Sequence, residues 1–418
     1  MSETPGTAAD QTRVLTICGG GNAGHALAVV LSKRVAGHID WLVSSPERAD
    51  LLRRGLSRGG LRSTGVISAE ADRLRTISSD PAEVIPNADM VLLAVPAFVH
   101  AGVLRRIGTH LGDATPVGCL ATRGGFEFEA ARDLPRRGER RRTIFGLQTL
   151  PWSTRVVKPG EVVNIGAAKA EATLASLPAD FKRDLAPRLS QFFGTRLVPA
   201  ASFLSLTLGN QGQFIHPGLM YGHFRSWSGK PYDHESVPWL YAAATDQMGE
   251  IVERMSREAI AVAHALRART KGALRLDQVQ SVHDWLRASY ADVTADPSTV
   301  ATCFRTGPIQ ARRAPMIEAA PGEFTPNFQY RYLTEDVPYG LAVTRALADI
   351  AGVETPTINE VISWAQRVMN KVYLVGERLE GPDLADLPTP QNHGVFSLDD
   401  LVAWYGDEVA AEVHPVRP

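Results

Sequence analysis

Cysteine is scarce in this chain: Cys18, Cys119 and Cys303 are the only three in 418 residues, each standing alone with no CxxC spacing. That excludes a disulfide-stapled scaffold and fits buried thiols in a reducing compartment. An excess of either charge is also missing, with 44 Lys and Arg against 45 Asp and Glu. A polyanion binder needs a basic surplus, so no nucleic-acid partner is expected. The one basic cluster, RRGERRR at 136–142, falls between a helical stretch and an apolar strand and reads as a solvated turn. No apolar run reaches the roughly 18 residues of a membrane helix. The opening MSETPGTAADQT has neither the basic nor the apolar region of a secretory signal. A cytoplasmic, soluble protein without a membrane contact or a metal site is expected.

What the chain does have is two rhythms. Its length exceeds the roughly 250–300 residues at which one core usually divides, so two domains are expected. From residue 13 to about 200, apolar runs at 13–18, 39–43, 90–95, 116–121, 143–149 and 161–166 alternate with helical patterns. This alternation predicts a mostly parallel sheet with helices on both faces. Beyond about 203 the period becomes helical. Met248, Ile251, Val252, Met255, Val262 and Leu266 mark a long amphipathic helix within 244–270. Thr357 and Glu360 read as a capping box opening a second helix, which continues through Val361, Trp364, Ala365 and Val368. Ser397 and Asp400 open a third that stops near Gly406. The expected boundaries are a tail at 1–12, a first domain at 13–203, a helical domain at 204–408 and a tail at 409–418.

After the first apolar run comes GGGNAGHALA, residues 19–28. Gly19, Gly21 and Gly24 fit G-x-G-x-x-G between a strand and a helix. One glycine serves the tight turn, one the approach of backbone N–H groups to a pyrophosphate, and one close helix-to-strand packing. With Asn22 and Ala23 they form the expected cradle of a dinucleotide, and the first domain is expected to be a Rossmann-type doubly wound α/β sheet. The end of the second strand reads Val43-Ser44-Ser45-Pro46-Glu47-Arg48. Two hydroxyls and a guanidinium suit a 2′-phosphate, so NADP(H) is favoured, with Ser44, Ser45 and Arg48 as its contacts. Glu47 keeps NAD(H) open, because a one-residue shift of the strand end would make it a ribose ligand. Val95 and Pro96, at the end of the 90–95 strand, are expected beside the cofactor. Gly124-Gly125, with Thr122 and Arg123 alongside, reads equally as a second backbone approach to cofactor or substrate and as an ordinary turn.

Hydride transfer to a carbonyl or imine needs a proton donor and an anchor for substrate charge. His216, in Gln211-Gly212-Gln213-Phe214-Ile215-His216-Pro217-Gly218, lies just past the expected domain join. It reads as a proton donor or as a histidine that only hydrogen-bonds near that join. In Arg331-Tyr332-Leu333-Thr334-Glu335-Asp336, Arg331 and Glu335 would pair at i,i+4 on a solvated helical face. Alternatively Asp336 accepts a hydrogen bond from His216 and Arg331 clamps a substrate carboxylate. Spacing does not choose between them.

GGGNAGHALA, LQTLPW (147–152), FIHPGLMYG (214–222), WSGKP (227–231), RYLTEDVPYG (331–340) and SWAQ (363–366) occur in one order. Together they resemble the octopine dehydrogenase branch of the opine dehydrogenases. The resemblance implies an oxidoreductase that condenses an amino acid with a 2-oxo acid such as pyruvate, reducing the imine with NAD(P)H. It implies His216 and Asp336 as the catalytic pair and Arg331 as the carboxylate ligand, with Trp285 lining the amino-acid pocket. Partners would be these small molecules and, at most, a second copy of the chain in a homodimer. Where that branch carries an acidic residue, this chain has Gln148, beside Thr149; both are expected near substrate, and the lost charge argues against a guanidinium donor. Two other readings stand beside this one. One is another two-domain NADP-dependent dehydrogenase of a hydroxy acid or sugar phosphate, and the other is a non-catalytic NADP(H) sensor.

Overall fold

The computed structural model describes residues 13–136, 141–179 and 181–406. The tails expected at 1–12 and 409–418, and the middle of the basic cluster at 137–140, lie outside the described residues. The chain forms two compact units. The first takes residues 13–95, Val99–Ala121 and Asp133–Pro199, and the second takes Pro96–Phe98, Thr122–Arg132 and the chain from Ala200 onward.

The first unit holds eleven strands: Val14–Cys18 (β1), His38–Leu42 (β2), Arg62–Gly65 (β3), Leu74–Ser78 (β4), Met90–Leu93 (β5), Val117–Cys119 (β6), Ile144–Leu147 (β7), Trp152–Lys158 (β8), Val162–Ala168 (β9), Glu171–Leu177 (β10) and Arg196–Pro199 (β11). Eight of them form one sheet in the order β4-β2-β1-β5-β6-β7-β10-β11. All neighbours in it are parallel except β7 and β10. Strands β1, β5, β6 and β7 are buried along their whole length, as a sheet covered on both faces requires. The chain crosses from β1 through the helix Asn22–Arg34 (α1) to β2 on one side, and β5 lies on the other. This is the Rossmann order, with its switch point beside β1. The run at 161–166 does not join this sheet as the alternation implied. It forms β9 of a separate three-stranded sheet, parallel to β3 and antiparallel to β8. Mixed burial along β8 and β9 explains why periodicity misassigned them.

In the second unit, helix Gly212–Phe224 (α3) packs on the long helix Asp246–Arg269 (α4); α2, Pro46–Leu56, belongs to the first unit. Glycine makes the contact close: a Cβ on Gly218 would stand 2.7 Å from Val252 Cγ2, and one on Gly222 would stand 2.4 Å from Met248 Cγ. The buried face of α4 includes Met248, Ile251, Val252, Met255, Val262 and Leu266. Helices Val282–Ser289 (α5), Arg331–Thr334 (α6), Pro356–Met369 (α7) and Leu398–Trp404 (α8) complete the frame used below. The expected box at Thr357 and Glu360 does not form. Proline at 356 is already helical, so Thr357 lies inside the first turn, and the Glu258 carboxylate accepts from the N–H groups of Thr357 (2.8 Å) and Ile358 (2.9 Å). Glu360 accepts from Tyr221 instead, at 2.5 Å. The box at Ser397 and Asp400 does form. Among the described residues no helix is long and apolar enough to cross a membrane.

Candidate active site

The glycine turn sits between β1 and α1, and each of its three glycines is required for a different reason. Gly19 has φ +125°, and a Cβ there would stand 2.5 Å from the Ala94 carbonyl oxygen and 2.7 Å from Val95 Cγ1. A Cβ on Gly24 would stand 1.9 Å from the Gly19 carbonyl oxygen. Beyond Gly21 nothing lies within 4 Å, and no side chain caps the start of α1. An open glycine at an uncapped helix N-terminus is where a pyrophosphate can meet backbone N–H groups, so these residues fit a dinucleotide. The turn is braced by side chains. Trp41 Nε1 donates to the Gly19 carbonyl (2.9 Å) and Arg48 Nη2 to the Gly20 carbonyl (2.5 Å). His25 is buried beneath it: Gly160 N–H donates to Nε2 at 3.0 Å, so the ring proton is on Nδ1, which donates to the Gly21 carbonyl at 2.8 Å. Burial pulls its pKa down to about 4, so the ring is neutral at pH 7.

At the tip of β2, Ser45 caps α2 by accepting from Arg48 N–H at 3.3 Å, and Ser44 is exposed. Glu47 is fully exposed and held below the usual carboxylate range by a hydrogen bond from Ser45. The acid of β2, Asp40, is buried and engaged by Arg75 at 2.5 and 3.1 Å. The Asn22 side-chain oxygen is engaged as well, accepting from Val156 N–H at 2.8 Å.

In the second unit α3 and the segment just after α6 bring His216 and Asp336 together, with Nδ1 to Oδ2 at 2.7 Å. The imidazole is 19% exposed and the carboxylate fully buried. Asp336 lies just past α6, whose C-cap is Glu335, and opens a π-type turn over Val337–Leu341, an irregularity common at functional sites. Tyr332 stacks on His216 with ring centres 3.9 Å apart and planes 14° from parallel, and its hydroxyl accepts from Arg312 at 2.9 Å. Burial alone would push the Asp336 carboxyl up; the charges of Arg123, His216 and Arg331 outweigh it and hold the group below its ordinary value. An ionised Asp336 accepts, so in the neutral ring the His216 proton stands on Nδ1 and Nε2 is the acceptor nitrogen. Arg331 and Glu335 do pair, at 3.1 Å, but not on a solvated face: Glu335 is 3% exposed and Arg331 45%. The i,i+4 pair forms without the solvated face expected for it, and of the other reading the structure brings His216 to Asp336.

The tauropine dehydrogenase of Arabella iricolor is 30% identical to this chain over 407 residues, covering 93% of this chain and 100% of the relative. The chain belongs to the opine dehydrogenase family. The opine dehydrogenase of Haliotis discus hannai is also 30% identical, covering 92% of this chain and 97% of its own length. Residues 199–369 match the family described as NAD/NADP octopine/nopaline dehydrogenase, alpha-helical domain. A solved octopine dehydrogenase with NADH and L-arginine is similar with a TM-score of 0.84 and 27% identity, covering 94% of this chain and 98% of that one. As an opine dehydrogenase the chain is an NAD(P)-dependent oxidoreductase acting on CH–NH bonds.

Other residues of this opine dehydrogenase fall less tidily. Trp285, on α5, is partly buried and meets Tyr290 edge-on at 5.9 Å. Gln148 and Thr149 follow β7 in the first unit, where Gln148 N–H donates to the Thr173 carbonyl at 3.0 Å. The Thr149 hydroxyl accepts from Lys169, a cation that sequence spacing gave no reason to place there. Val95 packs on Gly19, whereas Pro96 belongs with Ala97 and Phe98 to the second unit, where Ala97 N–H donates to Glu335 at 3.0 Å. The Gly124-Gly125 pair is consumed within the second unit: Gly124 N–H donates to the Tyr339 carbonyl (2.7 Å) and Gly125 N–H to Thr207 (3.4 Å). The polar stretch before the histidine is engaged too. Gln213 donates to the carbonyls of Thr207 and Leu208 and accepts from Thr344, and Gln211 donates to the Gln280 carbonyl.

Proposed function

We propose that this opine dehydrogenase condenses an amino acid or related amine with a 2-oxo acid, and that the His216–Asp336 pair carries the proton transfers. The observation behind it is the 2.7 Å contact between an ionised buried carboxylate and a largely buried imidazole, with Arg331 opening the short helix that precedes the carboxylate. Its half-exposed guanidinium takes the carboxylate of the oxo acid. His216, proton on Nδ1, accepts a proton at Nε2 from the substrate ammonium, which frees the amine to add to the ketone. The imidazolium, stabilised by Asp336, returns that proton to the hydroxyl leaving the carbinolamine, and water departs as the imine forms. Gly19, Gly21 and Gly24 would hold the pyrophosphate of a reduced dinucleotide, which would supply the hydride that turns the protonated imine into a secondary amine. Histidine suits both directions because its ordinary pKa lies near neutrality.

For the cofactor the reading is NADP(H). Ser44, Ser45 and Arg48 offer hydroxyls and a guanidinium at the tip of β2, and Asp40, the buried acid on that strand, is engaged by Arg75. For the amine, Gln148 is neutral where the octopine dehydrogenase branch carries an acid, which disfavours a guanidinium donor. A matrix of neutral and acidic amino acids, taurine and arginine against pyruvate, glyoxylate and 2-oxoglutarate, read by NADPH and NADH absorbance, tests all three points. Expected is amine-dependent oxidation, faster with NADPH and poorest with arginine. Oxidation that ignores the amine would overturn the reaction class.

A further inference from the structure

Asp336 is fully buried, and a buried carboxylate without a cation is costly. In the mechanism above His216 is a cation for only part of each turnover, so for the rest Asp336 needs another partner. Arg123, which is 8% exposed, supplies it: Nε stands 3.3 Å from Asp336 Oδ1 and 3.6 Å from Glu335 Oε1. The Asn210 carboxamide oxygen accepts from Arg123 Nη1 at 3.2 Å and is itself fixed by Gly212 N–H at 3.2 Å. The turn that follows Arg123 is closely packed. Gly125 has φ +81°, and a Cβ there would stand 2.2 Å from the Pro388 carbonyl oxygen.

We infer that Arg123 is a positioning residue for the His216–Asp336 pair, holding the carboxylate ionised and dividing its charge between a permanent guanidinium and a titrating imidazole. The inference rests on the proposed roles of that pair. Arg123 and Arg331 are cationic and Glu335 is anionic. Tyr332 is stacked on the imidazole with Arg312 at its hydroxyl, and Tyr241 is a phenol that burial and its neighbours keep protonated. Arg123 thus does two things. It keeps Asp336 negative when the imidazole is neutral, and it shares the carboxylate's charge that the imidazolium would otherwise take alone.

Removing that charge while keeping a hydrogen-bonding amide raises the imidazole's affinity for its proton. Arg123→Gln is expected to move the acid limb of the kcat/KM against pH profile upward by about one unit or more. Arg123→Lys, which keeps the charge, should leave the limb near its wild-type position. Asn210→Asp sets a carboxylate against the other side of Arg123 and should move the limb the same way by less, which covers a failure of Arg123→Gln to fold. A folded Arg123→Gln enzyme, or Asn210→Asp, with the wild-type limb would overturn the inference. Absence of amine-dependent turnover in the wild type would instead sink the proposed reaction. The His216 ring titration by NMR, wild type against Asn210→Asp, then decides Arg123 alone: an upward shift supports it and no shift overturns it.

Discussion

His25 and His216 each have a tautomer dictated by their neighbours, with opposite consequences. Both carry the proton on Nδ1, His25 because Gly160 N–H points at Nε2 and His216 because Asp336 accepts. The neutral, buried His25 makes stability depend on pH. Its folded pKa of about 4 lies below the 6.5 of a free histidine, so the unfolded chain binds the proton more tightly between those values. Stability is fully present above about pH 6.5 and drains as pH falls toward 4, by up to about 3 kcal/mol in all. Thermal melts between pH 7.5 and 5 should show a falling Tm, and His25→Leu should flatten the slope; an unchanged slope in the variant would contradict the assignment. Arg48 has a separate test. Arg48→Ala should weaken NADPH binding at least about tenfold more than NADH binding, since a guanidinium–phosphate contact is worth about 1.5–3 kcal/mol. Equal losses for the two cofactors would mean that Arg48 only braces the Gly20 carbonyl.

At the scale of elements the glycine turn separates folding from binding. Gly24→Ala places a methyl against the Gly19 carbonyl oxygen and should destabilise the first unit, seen as a lower Tm. Gly21→Ala meets open space, so the Tm should hold while NADPH affinity falls, measured by fluorescence titration. A Gly21→Ala protein with wild-type affinity would mean that the pyrophosphate lies elsewhere. The same glycines were readable from spacing because strand, turn and helix follow one another locally. So were β1, β5, β6 and β7, whose two-sided burial demands unbroken apolar runs. Strand β4, half-exposed and polar in part, offers no such run, and β9 offers a run that periodicity could not assign to a sheet. The start of α7 misled for a related reason. Its cap comes from Glu258, on another helix, and no local spacing encodes a tertiary carboxylate.

At the scale of the whole molecule, the family and the order of its motifs were legible, and the electrostatics of the site were not. His216, Arg331 and Asp336 stand in recognisable motifs, and the structure brings His216 to Asp336 and pairs Arg331 with Glu335. That Glu335 is buried and that Arg123 reaches Asp336 follow from packing among segments far apart in the chain. Sequence flagged Arg123 only through its neighbouring glycines. If His216 and Asp336 work as one unit, a double-mutant cycle shows it: His216→Gln and Asp336→Asn should each lower kcat about a hundredfold or more, with NADPH affinity little changed. The double variant should then be no more than a few-fold worse than the poorer single one. Losses that multiply would contradict the pairing, because they would assign the two side chains separate tasks in the reaction.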